Sequence, residues 1–208
     1  MSKAIMISIR PKWCEKIARG EKTIEVRKTR PKLETPFKCY IYCTQARERL
    51  ITILKDGDEN YGEIYRGKPV FIKTDEGSVC DMWGKRQKVI GEFTCDRIYE
   101  LETRSPGGSY YVKGEDQPTT NDVARKSCLT LKDMHEYLQS KVGYGWHISD
   151  LVIYDEPREL IEFHTWKKCK SCSKSGYEST ACIYDENCMI PAAITKAPQS
   201  WCYVEEQK

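Results

Sequence analysis

The sequence predicts an α+β fold, a small mixed β-barrel with two or more short helices. At least five segments have the alternating or continuous apolar pattern of strands, whereas only two have apolar residues at helical spacing. Two helices are too few to connect the strands of a doubly wound parallel sheet. The 208 residues, 39% of them hydrophobic, suffice for one main core and a small appendage.

The first thirty residues predict a strand, a helix and a second strand. Residues 4–9 read AIMISI, an apolar run typical of a buried strand. Over residues 11–19 the apolar side chains recur at helical spacing, and Gly20 then suits the C-terminal cap. Residues 22–29 read KTIEVRKT and alternate, which predicts a strand with one apolar and one polar face.

The same patterns predict the rest of the chain, in which we find no internal repeat. The predicted elements are a strand over 37–44, a loop or hairpin over 45–87, one long strand over 89–101 whose Gly91 can mark a bulge, a mobile loop over 105–122, a helix over 131–138 with Thr130 as N-cap, and a strand over 146–153 that Pro157 ends.

Positive charge is concentrated near the N-terminus. The whole chain has a formal net charge of only +3, but residues 10–32 contain nine Lys and Arg against three Glu. This segment is net +6, so the remainder is net −3. A basic patch on a nearly neutral body is what local attraction to phosphate needs, although a solvated helix face has a similar composition.

Residues 8–30, SIRPKWCEKIARGEKTIEVRKTR, resemble the signature of the ASCH family. The core of that signature, G-x-K-x-x-E-x-R, is present as Gly20, Lys22, Glu25 and Arg27. The resemblance implies a PUA-like barrel in which this motif lies between the first helix and the second strand and lines a cleft.

A looser resemblance continues through FKCYIYCT, VIGEFTCDRI and YGWHISDL, so that it covers about residues 4–160. It implies an ASCH domain over residues 1–163, with an insertion at about 45–87. The remaining residues, 164–208, then form a cysteine-rich tail.

The motif residues have the chemistry of a ligand site. By the period of two, Glu25 and Arg27 project from one face of their strand, and Ile24 and Val26 from the other. A carboxylate can accept hydrogen bonds from base-edge donors, and cations can bind phosphate. The alternative interpretation is an ordinary ion pair on a solvated strand. The candidate ligand-binding residues are Ser8, Lys12, Gly20, Lys22, Glu25, Arg27, Lys28, Arg30, Trp146 and His147.

Three aromatic side chains are candidates for stacking on a base. Trp13 lies on the apolar side of the predicted helix, so we assign it to the core. Trp146 and His147 point to opposite faces of one strand, so at most one of them enters the cleft, and we favour His147.

The resemblance implies a basic cleft that binds nucleic acid, RNA before DNA, or a nucleoside. A hydrolase acting on a modified nucleoside or on RNA is the alternative, with Lys22, Glu25 and His147 as catalytic residues, since burial shifts Lys and Glu pKa values towards neutrality. In a bacterial branch of the family that hydrolyses 4-acetylcytidine, a Thr nucleophile occupies the position of Glu25. The second acid of that branch falls at residues 126–128, where this chain reads KSC and has no Glu.

A protein-interaction module, docking a partner through the Tyr- and Gly-rich insertion, is a second alternative.

Residues 164–208 contain five of the eleven cysteines. Two of them form C-x-x-C, a spacing that lets two thiolates bind one tetrahedral Zn²⁺, and a short segment without a large core needs such a staple. The candidate ligands of a structural zinc site are Cys169, Cys172, Cys182 and Cys188, with Cys202 or His164 as a replacement for one of them.

The alternative for the tail is a segment of reduced cysteines that packs on the barrel through Trp201 and Tyr203. The cysteines outside the tail fall on predicted helix and strand faces, where free cysteine is commonly buried. We therefore assign to the core Cys14, Cys39, Cys43, Cys80, Cys95 and Cys128.

The sequence also bears on localisation. It has no run of about eighteen apolar residues and no signal-like start, which predicts a cytoplasmic protein without membrane contact. A disulfide scaffold is not expected, because the chain is long, rich in Lys and Glu, and lacks a secretory signal.

Overall fold

The computed structural model describes residues 2–44, 50–54, 70–73, 87–105, 107–168 and 189–207. Within these residues the chain forms thirteen strands, three α-helices and a 3₁₀ helix at Leu160–Glu162. The strands are β1 (Lys3–Ile9), β2 (Ile24–Arg27), β3 (Phe37–Cys43), β4 (Leu50–Leu54), β5 (Val70–Lys73), β6 (Lys88–Cys95), β7 (Ile98–Thr103), β8 (Tyr110–Val112), β9 (Gly143–His147), β10 (Ser149–Glu159), β11 (His164–Lys168), β12 (Met189–Ala193) and β13 (Trp201–Glu205). The helices are α1 (Pro11–Ala18), α2 (Thr120–Lys126) and α3 (Leu131–Leu138).

Two larger sheets organise the described residues. The first has the strand order β10-β6-β3-β1-β13, with β1 and β3 parallel and the other neighbours antiparallel. The second has the order β2-β9-β7-β8 and is antiparallel throughout. The pairs β4-β5 and β11-β12 are two-stranded and antiparallel. The α+β prediction is confirmed, although among the described residues these sheets stay separate and do not close into one barrel.

Strand β1, which lies between β3 and β13, is buried on both faces, as its apolar run predicts. Ile5 and Ile7 pack into a first core cluster together with the apolar side of α1. Met6 points the other way, into a second cluster that includes Val204 of β13. β1 therefore contributes side chains to a core cluster on each face of the sheet.

The prediction of one long strand over 89–101 is wrong. The chain forms β6 and β7 there, and these belong to different sheets because the chain turns at Asp96 and Arg97. The bulge is confirmed, since the register of β6 against β3 shifts by one residue beside Gly91. Gly91 lies against the backbone carbonyl of Val152, which leaves no room for a side chain.

The strand predicted over 146–153 is divided in a similar way. β9 ends at His147 and joins the second sheet, whereas β10 begins at Ser149 and joins the first. Pro157 lies inside β10 rather than after it. Proline is tolerated there because the pairing of β10 with β6 is irregular between Ile153 and Arg158.

The loop predicted over 105–122 contains β8 and the start of α2. Thr119 and Asp122 form a capping box at the beginning of this helix, a signal that the Ser- and Thr-rich composition obscures. The α3 prediction and its N-cap Thr130 are confirmed. No helix in the part of the chain that the structure describes is long and apolar enough to cross a membrane.

The end of the chain returns to the main sheet. β13 pairs antiparallel with β1, with Lys3 opposite Glu205 and Ile7 opposite Trp201. Trp201 and Tyr203 pack against the first core cluster. The division of the chain at residue 163 stays a prediction, but β13 belongs by its pairing to the same sheet as β1. Of the predicted insertion, the structure describes β4 and β5, which pair with each other.

Candidate functional site

A cavity of about 650 Å³ opens beside β2. Its walls come from the end of β1, from α1, β2 and α3, and from the residues just before β13. Segments that are far apart in the sequence therefore meet here. The lining residues are Ser8, Ile9, Arg10, Trp13, Lys22, Glu25, Val26, Arg27, Lys28, Thr29, Thr44, Leu129, Tyr137, Gln199 and Ser200.

Three charged side chains from β2 and the turn before it are buried at this cavity. Lys22, Glu25 and Arg27 are only 3%, 7% and 8% exposed. Lys22 Nζ lies 3.2 Å from Glu25 Oε2, and Arg27 Nε lies 2.9 Å from Glu25 Oε1. The Nε–H of Arg27 does not point at Glu25 Oε1, so this contact is an ion pair rather than a directed hydrogen bond. Because all three side chains are buried, they differ from an ordinary ion pair on a solvated strand.

The local sequence explains why these charges share one place. Ile24 and Val26 pack into a third core cluster with apolar residues of α2 and α3. The alternate residues Glu25 and Arg27 must then face the other way, towards the cavity. Gly20, at φ 71°, takes the left-handed conformation after α1 that lets the chain reverse towards β2.

The ammonium of Lys22 uses its three protons within the protein. It donates to the carbonyls of Ile24 and Ser127, at 2.9 and 2.8 Å, and its third contact is with Glu25. Ser127 directly follows α2, so Lys22 connects β2 to the end of that helix. Lys22 thus fixes the position of the Glu25 carboxylate.

Arg27 connects β2 to β1 and to the segment before β13. Its Nη2 donates to the Ser8 carbonyl at 2.6 Å, and its Nη1 donates to Ser200 Oγ at 3.3 Å. Ser8 Oγ donates in turn to the Pro198 carbonyl at 2.6 Å. The C-terminal segment is therefore a structural part of this site.

The carboxyl group of Glu25 is ionised in these surroundings. Burial by itself raises its pKa, but the positive charges of Lys22 and Arg27 outweigh burial and hold the pKa below the ordinary value of 4.5. An ionised carboxylate can only accept hydrogen bonds. Glu25 thus presents a fixed acceptor to the cavity.

Two aromatic side chains line the cavity, each near a lysine. The ring centroid of Trp13 lies 4.7 Å from Lys12 Nζ and 5.2 Å from Lys22 Nζ, within the range of cation–π contacts. The ring centroid of Tyr137 lies 5.1 Å from Lys28 Nζ, and burial raises the pKa of its hydroxyl. Trp13 packs against the first core cluster, as predicted, and it also lines the cavity.

Solved structures similar to this chain include two of one protein. They are the crystal structure of ASCH from Zymomonas mobilis and that of a point mutant of the same protein. The chain resembles an ASCH structure. Each match has a TM-score of 0.48 and 13% sequence identity, and the two cover 98% of this chain and 88% and 91% of the other chains. No family model and no curated protein matches the sequence.

The cavity brings together half of the ligand-binding residues predicted around the ASCH motif. Those that line it are Ser8, Lys22, Glu25, Arg27 and Lys28. Those that do not are Lys12, Gly20, Arg30, Trp146 and His147. The residues that converge come from the polar face of β2, from the chain directly before and after that strand, and from the adjoining end of β1.

Trp146 and His147 lie elsewhere for different reasons. Trp146 is opposite Glu25 in the pairing of β2 with β9, but its ring is fully buried against Phe37, with ring centroids 5.9 Å apart. His147 Nδ1 lies 2.6 Å from Asp96 Oδ1, at the turn between β6 and β7. Trp146 is thus a core residue, and the imidazole of His147 is outside the cavity.

Sequence reasoning missed several cavity residues. Arg10 and Trp13 flank the helix start within the ASCH-like segment, so their proximity to the motif was an available signal. Tyr137 lies one helical turn from Met134, which marks it as a neighbour of the apolar face of α3. Gln199 and Ser200 have no local signal, because only the pairing of β13 with β1 brings them to the site. The polar residues missed are Arg10, Thr29, Thr44, Tyr137, Gln199 and Ser200, whereas Trp13 is a stacking candidate that the helical pattern assigns to the core.

The predicted zinc site stays a prediction. Its ligands Cys169, Cys172, Cys182 and Cys188 lie outside the described residues. Within the ranges that are described, no group of three His, Cys, Asp or Glu side chains could hold a metal ion. Of the replacement ligands, Cys202 lies half-buried in β13 and His164 begins β11.

The assignment of the other cysteines to the core is largely confirmed. Burial raises the thiol pKa of Cys39 well above its ordinary value and that of Cys95 to about 12, so neither is a reactive thiolate. Cys128 is only half-buried, and Cys80 lies outside the described residues. The buried cysteines are Cys14, Cys39, Cys43 and Cys95.

Proposed function

We propose that the protein binds single-stranded nucleic acid, RNA before DNA, or a nucleoside, through the cavity beside β2. The base enters the cavity, and the sugar and phosphates lie along the cations at its mouth. The observation that supports this most directly is the buried set Lys22, Glu25 and Arg27, which faces a cavity of about 650 Å³. Cavities of that size suit small organic ligands such as nucleosides.

Stability alone does not account for three buried charges. Removing a carboxylate and two cations from water costs free energy that their mutual attraction only partly returns, and packed apolar residues usually serve stability as well. Titratable groups with specific charge partners at the wall of a cleft are instead typical of functional sites. Lys22, Glu25 and Arg27 fit that description.

Cations dominate the charge of the described lining. Arg10, Lys22, Arg27 and Lys28 face the cavity against the carboxylate of Glu25. Arg10 and Lys28 are exposed, so they can reach phosphates outside the cavity. This excess of positive charge favours a polyanionic ligand and predicts binding that weakens as salt rises.

Polar and aromatic lining residues suit the other parts of a nucleotide. Trp13 offers a ring on which a base can stack, a contact worth about 1–3 kcal/mol per base. Thr29, Gln199 and Ser200 supply polar groups at the same cavity. The 2′-hydroxyl of RNA can both donate and accept hydrogen bonds, so these polar groups favour RNA over DNA as the ligand.

The geometry favours binding over hydrolysis. A general base needs a free lone pair, but Lys22 Nζ donates to two backbone carbonyls and forms an ion pair with Glu25. The pKa of Glu25 is lowered rather than raised towards neutrality, because the charges of Lys22 and Arg27 outweigh its burial. His147, the third predicted catalytic residue, lies outside the cavity. Hydrolysis is therefore the second candidate, which the same experiment separates from binding.

The proposal is tested by fluorescence anisotropy with short single-stranded RNA and DNA of one mixed sequence, across a salt series. We expect the wild type to bind more weakly as salt rises, and Trp13→Ala to lose about five-fold or more in affinity. Lys28→Ala should reduce the dependence on salt, because it removes one phosphate contact. Lys16→Ala is the control, since Lys16 is a cation of α1 outside the cavity.

Turnover of 4-acetylcytidine is followed with the wild type and with the variants Lys22→Met and Glu25→Gln. Turnover that depends on Lys22 and Glu25 would make the protein a hydrolase. Absence of both binding at low salt and turnover would contradict the proposal and leave a protein-interaction role.

A further inference from the structure

We infer that the cavity selects guanine, because Glu25 offers a charged acceptor edge that two adjacent donors fill best. This inference rests on the proposed function, since base identity matters only if the cavity binds a base. Glu25 is held by Lys22 on one oxygen and by Arg27 on the other, so the direction of its carboxylate is set before any ligand arrives.

The carboxylate keeps acceptor capacity on both oxygens. Oε2 lies 3.2 Å from Lys22 Nζ, and Oε1 lies 2.9 Å from Arg27 Nε. An ionised carboxylate has about four lone-pair sites, so each oxygen can accept a further hydrogen bond. Because Glu25 lines the cavity, a ligand can supply those donors.

Several donors beside Glu25 are bonded within the protein, whereas the Nε–H of Arg27 has no hydrogen-bond partner among the described residues. Lys22 Nζ donates to the carbonyls of Ile24 and Ser127 as well as contacting Glu25. Arg27 turns Nη1 towards Ser200 and Nη2 towards Ser8. A ligand acceptor that faced an oxygen of the Glu25 carboxylate would be repelled, because an ionised carboxylate has no proton to donate.

The common bases differ at the edge that would meet this carboxylate. Guanine has two adjacent donors, the ring N1–H and the exocyclic N2 amine. Adenine and cytosine place a ring nitrogen acceptor beside their amine, and uracil has carbonyl oxygens on both sides of its ring N–H. Guanine can therefore donate to both Glu25 oxygens. Each of the other bases would donate to one oxygen and place an acceptor against the other.

The stacking surface lies next to this acceptor edge. Lys22 Nζ is 5.2 Å from the Trp13 ring centroid and 3.2 Å from Glu25 Oε2, so the ring and the carboxylate share one neighbour. Trp13 and Glu25 line the same cavity of about 650 Å³. A purine can thus contact both groups at once, which adds stacking to the bidentate contact.

The inference is tested with short uridine oligoribonucleotides whose central base is guanine, adenine, cytosine or uracil, competing against a fluorescent reference RNA. We expect the guanine ligand to bind about ten-fold more tightly or better, as bidentate contacts discriminate bases to that extent. Central hypoxanthine, which lacks the N2 amine, and central 2-aminopurine, which lacks N1–H, should each lose most of this preference. These ligands are compared on the unaltered protein, so the folding of a variant does not enter.

A variant gives the complementary measurement. Glu25→Gln replaces one acceptor by a donor and should abolish the guanine preference, whereas Glu21→Gln, at an exposed carboxylate outside the cavity, should retain it. Equal affinity for the four oligonucleotides, with salt-sensitive binding retained, would overturn the guanine inference and leave the proposed function standing. Tightest binding of adenine, cytosine or uracil would overturn it as well. Failure of every oligonucleotide to bind would mean that the proposed function itself fails.

Discussion

At the scale of single residues, the site depends on three buried charges that compensate one another. Glu25 is ionised because Lys22 and Arg27 lie beside it, and both cations have backbone carbonyls as further partners. Removing one charge therefore leaves the others buried with less compensation. Lys22 acts mainly by holding Glu25 in place, so its loss should be visible in stability as well as in binding.

Lys22→Met keeps an extended side chain but removes its charge. We expect the free energy of unfolding to fall by about 3–5 kcal/mol, because Glu25 loses a buried partner and two carbonyls lose their donor. Urea denaturation measures this loss. The control is Lys16→Met, at an exposed pair with Glu21, which should change stability little; equal losses would contradict the compensation argument.

The lowered pKa of Glu25, which the charges of Lys22 and Arg27 hold down against the effect of burial, predicts a dependence of stability on pH. A carboxyl with a depressed folded-state pKa stabilises the protein above its unfolded pKa, ordinarily near 4.5, and this contribution is lost as pH falls through the folded value. We expect the stability advantage of the wild type over Glu25→Gln to shrink on acidification from about pH 5 downwards. Denaturant titrations of both proteins between neutral and acidic pH measure it. An advantage that grew on acidification would show that the pKa is raised.

At the scale of elements, α3 positions one wall of the cavity. Met134 and Leu138 bury their side chains in the third core cluster, with Ile24 and Val26 of β2. This packing fixes α3 against β2, and Tyr137 of the same helix lines the cavity. The integrity of α3 should therefore affect both stability and the site.

Thr130→Ala removes the N-cap of α3. Thr130 Oγ1 accepts from the Asp133 N–H and Asp133 accepts from the Thr130 N–H, each at 3.0 Å, so the change disrupts a capping box. We expect a loss of about 1 kcal/mol in the free energy of unfolding, measured by urea denaturation. Lys132→Ala, at an exposed position of the same helix, should be neutral. A neutral Thr130→Ala would show that packing alone holds the first turn.

At the scale of the whole molecule, the two ends of the described chain meet in one sheet. β1 lies between β3 and β13, and the Ser8 N–H donates to the Ser200 carbonyl at 2.9 Å. Gln199 and Ser200 enter the cavity wall because this pairing places them beside β2. The C-terminal strand should therefore unfold together with the main core rather than separately.

Val204→Ala tests this cooperativity. Val204 is fully buried in the second core cluster, so removing its two methyl groups should cost about 2 kcal/mol. Glu205→Ala, in the same strand but half-exposed, is the matched control. We expect tryptophan fluorescence and far-ultraviolet circular dichroism to report one shared, shifted transition for Val204→Ala. An earlier separate transition would show that β13 is not part of the same cooperative unit.

The elements that could be predicted from the sequence are those whose signals are local. The apolar run of β1, the helical spacing and glycine cap of α1, the alternation of β2 and the N-cap of α3 all depend on residues within a few positions of one another. The same alternation put Glu25 and Arg27 on one face, so the centre of the candidate site could be predicted. The breaks within apolar runs at residues 96–97 and 148 could not be predicted. The segments on both sides of each break have strand patterns, and only their pairing partners differ.

The enclosure of this site and the charge of its groups follow from long-range packing. Burial of Lys22, Glu25 and Arg27 depends on α3 and on the segment before β13, which no pattern near residue 25 indicates. The same long-range packing buries Trp146 and leaves His147 outside the cavity, although they are adjacent in the sequence. The physical reason is that burial and pKa are properties of everything that surrounds a group, whereas a sequence pattern records only its neighbours along the chain.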